Sequence, residues 1–430
     1  MMRTKTLFIL MVLLAAALVF PAAAQAPSGD LLWTPAATQN KIVVISDIHL
    51  GIDDSHSQDV QNKPLLVDFL RRLQKAGDVR ELVIAGDFLD EWYLPMDYAP
   101  YADSSAFYRQ LIAGNRDVFE ELKNVMASGI KLVYVIGNHD MTLESSILSE
   151  ALPGIVQPRD AKGLGVWYTG DHREIAVEHG HRYDVFSAPD TVTNSALCAG
   201  GETSLPPGYF YARAAASWVI QGRPTVEKSY PVLDRVPNAI TDPDQFGAYL
   251  YHQVLSAVFS RVTPKENFEE KALALGIDGY SGFFSVSDMF PAMQPDGSIS
   301  APVLYKNFQR TWEARQQINR VRVHNAFAQA VAGTLSSDYF FSQAKAQYLD
   351  NPDEQIDVVV FGHTHVPGVW QAQEGKLYVN TGTWVDHNPA YPSLTRTFAL
   401  VTTGSAGSSA ALYAYREDGT LQDVTDSAGK

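Results

Sequence analysis

Six short polar segments, each placed at the end of an apolar run, constrain this chain more than any other feature. In chain order they are Ser46-Asp47-Ile48-His49, Gly86-Asp87-Phe88-Leu89-Asp90, Gly137-Asn138-His139-Asp140, Glu178-His179-Gly180, Gly362-His363-Thr364-His365 and Asn380-Thr381-Gly382-Thr383-Trp384. The runs at 41–47, 81–87, 131–137, 173–180, 357–362 and 376–383 are short, mostly rich in Val, Ile or Leu, and end in or beside Gly, Asp or His. They read as buried strands. Between the first two, Leu65, Leu66, Phe69, Leu70 and Leu73 recur at helical spacing, and Val118, Phe119, Leu122, Val125 and Met126 do so between the second and third. Strand–helix–strand alternation predicts a sheet with helices outside it, and the polar segments fall at strand ends, where such sheets place their sites. Residues 397–403 and 410–416 read as two further strands meeting at a Gly/Ser turn.

A long gap separates His179 from His363. Within it, 185–345 does not repeat the strand–helix pattern. Leu250, Val254, Val258 and Val262 lie about one helical turn apart, and Phe308, Trp312, Ile318 and Val321 form a candidate buried stripe over 307–332. The expected organisation is a core at 41–184 plus 346–418, a mostly helical insertion or cap at 185–345, and a polar, frayed tail at 419–430. The aromatic clusters at 209–211 and 280–290 read as the insertion's own core in preference to a substrate-binding surface.

Composition closes off several classes. Apolar content of 46% with 19% charged residues describes a folded globular chain. A net charge of −15 argues against nonspecific binding to nucleic acid or anionic membranes, yet a local positive site built by metal ions is compatible with it. At the N-terminus, 1–6 carries Arg3 and Lys5, 7–20 is uninterrupted apolar sequence, and Ala22-Ala23-Ala24 offers a cleavage site. This predicts a signal peptide at 1–24 and an exported protein, periplasmic or secreted. The apolar run is short for a bilayer span of about 20 residues, and no other stretch could supply one, so no transmembrane span is expected in the mature chain. Cys198 is alone, which excludes an intramolecular disulfide, and it reads as a buried small residue.

The polar segments carry chemistry. Hydrolysis of a phosphate ester must bring water to an anionic phosphorus, and two divalent ions about 3.5–4 Å apart achieve this by neutralising the phosphate and activating a bridging water. The segments offer Asp, His and Asn with no thiolate, which suits Mn, Fe, Zn or Co, with Mn favoured. In Asp-x-His and His-x-His, alternate residues of an extended segment would point the same way and converge on one ion. The order D-x-H, G-D-x-x-D, G-N-H-D, H-G, G-H-x-H resembles the signature of the calcineurin-like metallophosphoesterases. That resemblance implies an α/β fold of four αββα layers. It also implies that Asp47, His49 and His365 bind one metal, that Asn138, His179 and His363 bind a second, and that Asp87 bridges them. His139 would contact the phosphate and protonate the leaving oxygen, with Asp90 fixing its orientation. Asp140 reads as structural, and Asn380 as a support for the loop carrying His363 and His365. His181 and Arg182 read as neighbours of the site, Arg182 as a candidate phosphate contact. His56, His172, His252, His324 and His387 match no motif.

Glu91-Trp92 after the second motif, and Ile45 to Leu50 around the first, resemble the branch of this family that contains UDP-2,3-diacylglucosamine hydrolases, which cleave a pyrophosphate in lipid A assembly. The export signal and the larger insertion set the chain apart from that branch. The expected activity is hydrolysis of phosphodiester or pyrophosphate bonds by attack of a metal-bridging hydroxide. A broad phosphomonoesterase and a non-catalytic envelope binding protein are the alternatives. The expected partner is a phosphorylated small-molecule or lipid substrate; no specific nucleic-acid binding is expected, and the oligomeric state is left open.

Overall fold

The computed structural model describes residues 38–427 except 102, 227–229, 335, 374, 390 and 406. The signal-peptide reading of 1–24 lies outside the described residues, as do the last three positions of the tail. The first part of the chain runs β1 (Lys41–Ile45), α1 (Lys63–Leu73), β2 (Val79–Ala85), α2 (Ser104–Gly114), α3 (Arg116–Ala127), β3 (Lys131–Val135), α4 (Ser145–Ala151), β4 (Trp167–Thr169) and β5 (Ile175–Val177). The middle holds α5 (Pro207–Ile220), α6 (Pro243–Phe259), β6 (Leu273–Leu275), β7 (Gly282–Phe284), β8 (Ala292–Met293), β9 (Ile299–Ser300), α7 (Phe308–Ile318), α8 (Phe327–Gly333) and α9 (Ser337–Ala344). The last part is all strand: β10 (Val358–Phe361), β11 (Gly368–Gln373), β12 (Lys376–Asn380), β13 (Thr397–Thr402), β14 (Ser409–Tyr415) and β15 (Leu421–Asp423).

Two sheets result. One has the order β15-β14-β13-β1-β2-β3, with β1, β2 and β3 parallel; the other has β11-β12-β10-β5-β4, with β10 parallel to both β5 and β12. Side chains alternate across a strand. Ile42, Val44, Val83, Ala85, Val133 and Val135 therefore face the second sheet and pack with Ile175, Val177, Val358, Val360 and Val379. Val43, Ile45, Leu82, Ile84 and Leu132 face the other way, onto Phe69 and Leu70 of α1 and Phe119 and Leu122 of α3. The outer face of the second sheet (Ala176, Val359, Phe361, Tyr378) is covered by Phe340 and Ala344 of α9 and by Tyr348. The layers are thus α, β, β, α, as expected. Parallel pairing puts the C-terminal ends of β1, β2 and β3 on one edge, and those of β5, β10 and β12 likewise.

Between β5 and β10 the chain builds five helices and two short hairpins among the described residues. Their core is aromatic (Tyr209, Phe210, Tyr251, Phe259, Phe290, Phe308, Trp312) and continues into Trp92, Met96 and Met141 of the sandwich. The buried Arg213 fastens the two parts. Its guanidinium donates to the carbonyls of Leu94 (3.0 Å), Pro95 (2.8 Å) and Met96 (3.2 Å), and to the Tyr209 hydroxyl (2.6 Å). The local pattern differs from the sequence reading in two places. The buried face of α6 is Tyr251, Leu255 and Phe259, one residue on from the expected stripe, because the larger rings take the interior. The helix expected over 307–332 is broken in two: Arg320 adopts a left-handed φ of 56°, and Asn319 turns its amide to the Pro189 carbonyl (2.9 Å). Ile318, expected in the core, is 46% exposed as a result. Cys198 is buried and free. Among the described residues no helix is long and apolar enough to cross a membrane.

Phe69 packs edge-on or tilted against Trp384, Phe398 and Tyr415, with ring centroids 5.1–5.4 Å apart. Phe69→Ala is expected to cost about 3–5 kcal/mol in urea unfolding. Phe283→Ala, at a ring 64% exposed, should stay within about 0.5 kcal/mol.

Candidate metal centre

The polar segments leave the strands by abrupt turns. β1 ends at Ile45, and Asp47 and His49 take left-handed φ values of 52° and 56°. Asp87 (49°), His363 (71°) and His365 (58°) do the same. Five of the seven side chains expected to hold metal therefore sit in a region that non-glycine residues seldom occupy. Convergence within Asp-x-His and His-x-His is thus not the extended-strand alternation expected from the spacing. It comes from left-handed residues alternating with ordinary ones.

Hydrogen bonds hold these turns against one another. The N–H groups of Ile48 and His49 donate to the Asp87 carbonyl (2.9 and 3.0 Å), and Asp47 N–H donates to Gly86 (3.1 Å). His363 N–H donates to the Asp47 carboxylate (3.0 Å), Thr383 Oγ1 to the Asp47 carbonyl (2.9 Å), and Asn380 Nδ2 to the Gly362 carbonyl (2.6 Å). Asp140 accepts from the N–H groups of Phe88 (2.8 Å) and Gly137 (2.7 Å), which ties the second and third turns and makes it structural. Glycine is required where the turns touch. A Cβ on Gly137 would lie 2.2 Å from Asp87 N and Oδ1, and one on Gly362 2.5 Å from Asp47 Oδ2.

All seven expected ligands meet. His365 Nε2 lies 3.1 Å from His49 Nε2 and 3.2 Å from Asp47 Oδ1. His179 Nε2 lies 3.2 Å from Asp87 Oδ2 and 3.0 Å from Asn138 Oδ1, and His363 Nδ1 lies 2.9 Å from the same Asn138 oxygen. Asp87 Oδ2 is also 3.7 Å from His49 Nε2, so its carboxylate stands between the two groups. Asp47, His49 and His365 form one set that could hold a metal ion, and Asp47, Asp87 and His179 another.

The donor chemistry fits cations. His49 Nδ1 faces Asp90 Oδ2 (2.9 Å), His179 Nδ1 faces the Ala85 carbonyl (2.8 Å), and His363 Nε2 faces Asp184 Oδ2 (3.1 Å). Each outer nitrogen must carry the proton, so the inner nitrogen of each neutral ring presents a lone pair. These lone pairs point at carboxylate and amide oxygens, which also lack protons. Such an arrangement repels itself unless a cation or added proton lies between. The electrostatics agree. Burial alone would lower the His179 pKa, but Asp87 and Asp47 outweigh it and raise it to about 9. Burial would raise the Asp87 pKa, but His179 and His139 hold it well below the usual carboxylate range. Two carboxylates, four imidazoles and one amide oxygen suit borderline divalent ions.

His139 stands beside this set without joining it. Its N–H donates to Asp87 Oδ1 (2.9 Å) and its Nδ1 faces Asp90 Oδ1 (2.8 Å). Asp90 oxygens also take the N–H groups of Trp92 and Tyr93 (2.8 Å each), so one buried carboxylate orients both His139 and His49. His49, Asp90 and His139 also lie close enough to form a third ligand-like group, but the Nδ1 contacts to Asp90 identify it as a hydrogen-bonded triad. The Trp92 ring lies 4.6 Å from the His139 ring, tilted 30° to it. Burial opposes protonation of His139, while Asp90 and Asp87 overcome it and raise the pKa to about 9.

Two expected neighbours lie close by without facing into the site. Arg182 is not placed to meet a phosphate: it is buried, and its guanidinium is spent on Glu178 (3.1 Å), Asp160 (2.7 Å) and the Asn319 carbonyl (2.5 Å). His181 is buried behind His179, with ring centroids 5.2 Å apart, and its Nε2 faces the Gly163 carbonyl (2.9 Å). Asp184 and the Ala85 carbonyl were not expected. A carbonyl leaves no mark in sequence, but Asp184 lies five residues after His179 and could have been weighed.

Two predictions follow from the geometry. Gly137→Ala should lower metal content and melting temperature together, read by elemental analysis and calorimetry. Metal binding at pH 7.5 should release about one proton, from His179, and affinity should fall as pH is lowered from 9. Calorimetric titration in buffers of different ionisation enthalpy measures that proton directly.

Residues 40–204 match the calcineurin-like phosphoesterase family, a segment that includes the first four motifs. No curated protein matches the chain significantly. Similar solved structures include vacuolar protein sorting 29 from Cryptosporidium parvum, 12% identical with a TM-score of 0.31, covering 89% of this chain and 95% of that one. A dimetal phosphatase from Danio rerio is 12% identical with a TM-score of 0.31, covering 90% and 96%. Phosphopantetheinyl hydrolase from Mycobacterium tuberculosis is 14% identical with a TM-score of 0.26, covering 81% and 91%. Likeness at these scores adds nothing to the assignment, and none of it selects the UDP-2,3-diacylglucosamine hydrolase branch. The family match covers 40–204, less than half of the chain, and over that segment the chain is similar to the calcineurin-like phosphoesterases.

Proposed function

We propose that the protein is a metal-dependent phosphoester hydrolase that cleaves phosphodiester or pyrophosphate bonds in a phosphorylated small molecule or lipid. The observation that carries this is the pairing of two adjoining sets of imidazoles and carboxylates with a separate histidine, His139, held beside them by Asp90. Two divalent ions, manganese favoured, would supply Lewis acidity and activated water when bound. Asp47, His49 and His365 would hold one and Asn138, His179 and His363 the other, with Asp87 shared.

The remaining steps belong to the chain. Asp90 accepts a hydrogen bond from the Nδ1–H of His139 and fixes the ring, so a protonated imidazole would offer its Nε2–H away from Asp90. The His139 side chain is 17% exposed, which leaves that proton accessible to a bound ester. A proton delivered there serves a poor leaving group most, since an activated one departs without help. This supports diester or pyrophosphate bonds over simple monoesters. The export reading of 1–24 would place this activity in the periplasm or outside the cell.

The test uses the chain from Gln25 onward, reconstituted with Mn²⁺, on bis- and mono-(p-nitrophenyl) phosphate side by side, with Asp87→Ala as the blank. Faster diester cleavage, abolished by the substitution, is expected. A preference for the monoester would instead favour phosphate scavenging, and activity that survives Asp87→Ala would sink the site assignment. His139→Ala should lose at least tenfold more activity on an unactivated alkyl diester than on the nitrophenyl diester; equal losses would remove His139 from the proton-donor role.

A further inference from the structure

We propose that Asp184 is a positioning residue for the second metal site, and that the region inserted between β5 and β10 governs that site through it. The inference rests on the dinuclear reading above. Asp184 Oδ2 takes the Nε2 proton of His363 (3.1 Å) and also accepts from Ser187 Oγ (2.7 Å). Its Oδ1 accepts from the Phe186 N–H (3.0 Å) and lies 3.1 Å from Thr334 Oγ1, whose one proton is shared with the Ala330 carbonyl (3.0 Å). Each oxygen therefore meets two hydrogen-bonding groups, and the carboxylate is buried. Holding the proton on Nε2 turns the Nδ1 lone pair of His363 toward Asn138 Oδ1. A carboxylate behind a ligating imidazole fixes its tautomer and raises its basicity.

The partners of Asp184 come from both ends of the inserted region. Phe186 and Ser187 lie at its start. Thr334 follows α8 near its end, and the Phe340 ring of α9 packs 5.5 Å from the His363 ring. Tyr339 closes the contact by donating to the Tyr183 carbonyl (2.9 Å). The first site is supported differently: His49 is held by Asp90, which lies in the turn after β2. The two sites thus depend on separate parts of the chain, and damage to Asp184 should be felt at one of them.

Asp184→Asn tests this. An amide would point its NH₂ group at two existing donors on one side, and the charge behind His363 would be gone. Manganese titration followed by EPR should show the wild type filling two coupled sites. The variant should fill one site normally and bind the second ion about 10–100-fold more weakly. The double variant Asp184→Asn/His363→Ala should bind as His363→Ala alone, because both changes act on one ligand. Thr334→Val, which keeps the carboxylate, should weaken the same site a few-fold and serves where Asp184→Asn does not fold. Unchanged affinity at both sites, parallel weakening of both, or additive losses in the double variant would each overturn the proposal. A wild type that binds fewer than two ions would instead contradict the dinuclear reading, and the wild-type titration shows this before any variant is made.

Discussion

The fold is organised around a local charge problem. Three imidazole nitrogens with bare lone pairs, two carboxylates and an amide oxygen are packed together where little water can reach them. Burying such groups without a partner is costly, and the neighbouring oxygens add repulsion. Only positive charge resolves it, either as protons drawn onto His179 and His139 or as metal ions. The surrounding backbone is built at a cost for the same purpose. Five ligand-type residues hold left-handed φ, at about 1 kcal/mol or more each, which is a sizeable share of a domain's net stability. Coordination of divalent ions is strong enough to offset strain of that size.

Everything around the site serves its alignment. Parallel strands deliver the turns to one edge of each sheet, and glycines let the turns touch. Asp90 and Asp184 then hold the rings of His49 and His363, one from the turn after β2 and the other from the segment after β5. The aromatic core of that region runs directly into Trp92, which lies along His139. Arg213 clamps the segment just beyond it. The insertion is therefore tied to both His139 and His363, in addition to having a core of its own.

Much of this was legible in the sequence. The central strands and first helices follow from apolar periodicity, and the seven ligand-type residues from motif order. Phe69, Leu70 and Leu73 turn inward as their spacing requires. Short edge strands such as β4 and β11 were missed, because three to six residues with mixed burial carry little periodic signal. The α6 face was misread by one position because spacing alone does not weigh ring size. The break after Ile318 depends on a tertiary hydrogen bond from Asn319. Arg182 was misjudged because proximity in sequence to His179 says nothing about which face of β5 a residue follows. Here Glu178 draws it away from the site.

We propose that the chain gathers its ligands around two ions that share Asp87. Anomalous diffraction from crystals grown with Mn²⁺ tests it most directly. The expected result is two peaks about 3.5–4 Å apart, with the Asp87 carboxylate between them, one beside His49 and His365 and the other beside His179 and His363. A single peak, or one seated among His49, Asp90 and His139, would contradict it.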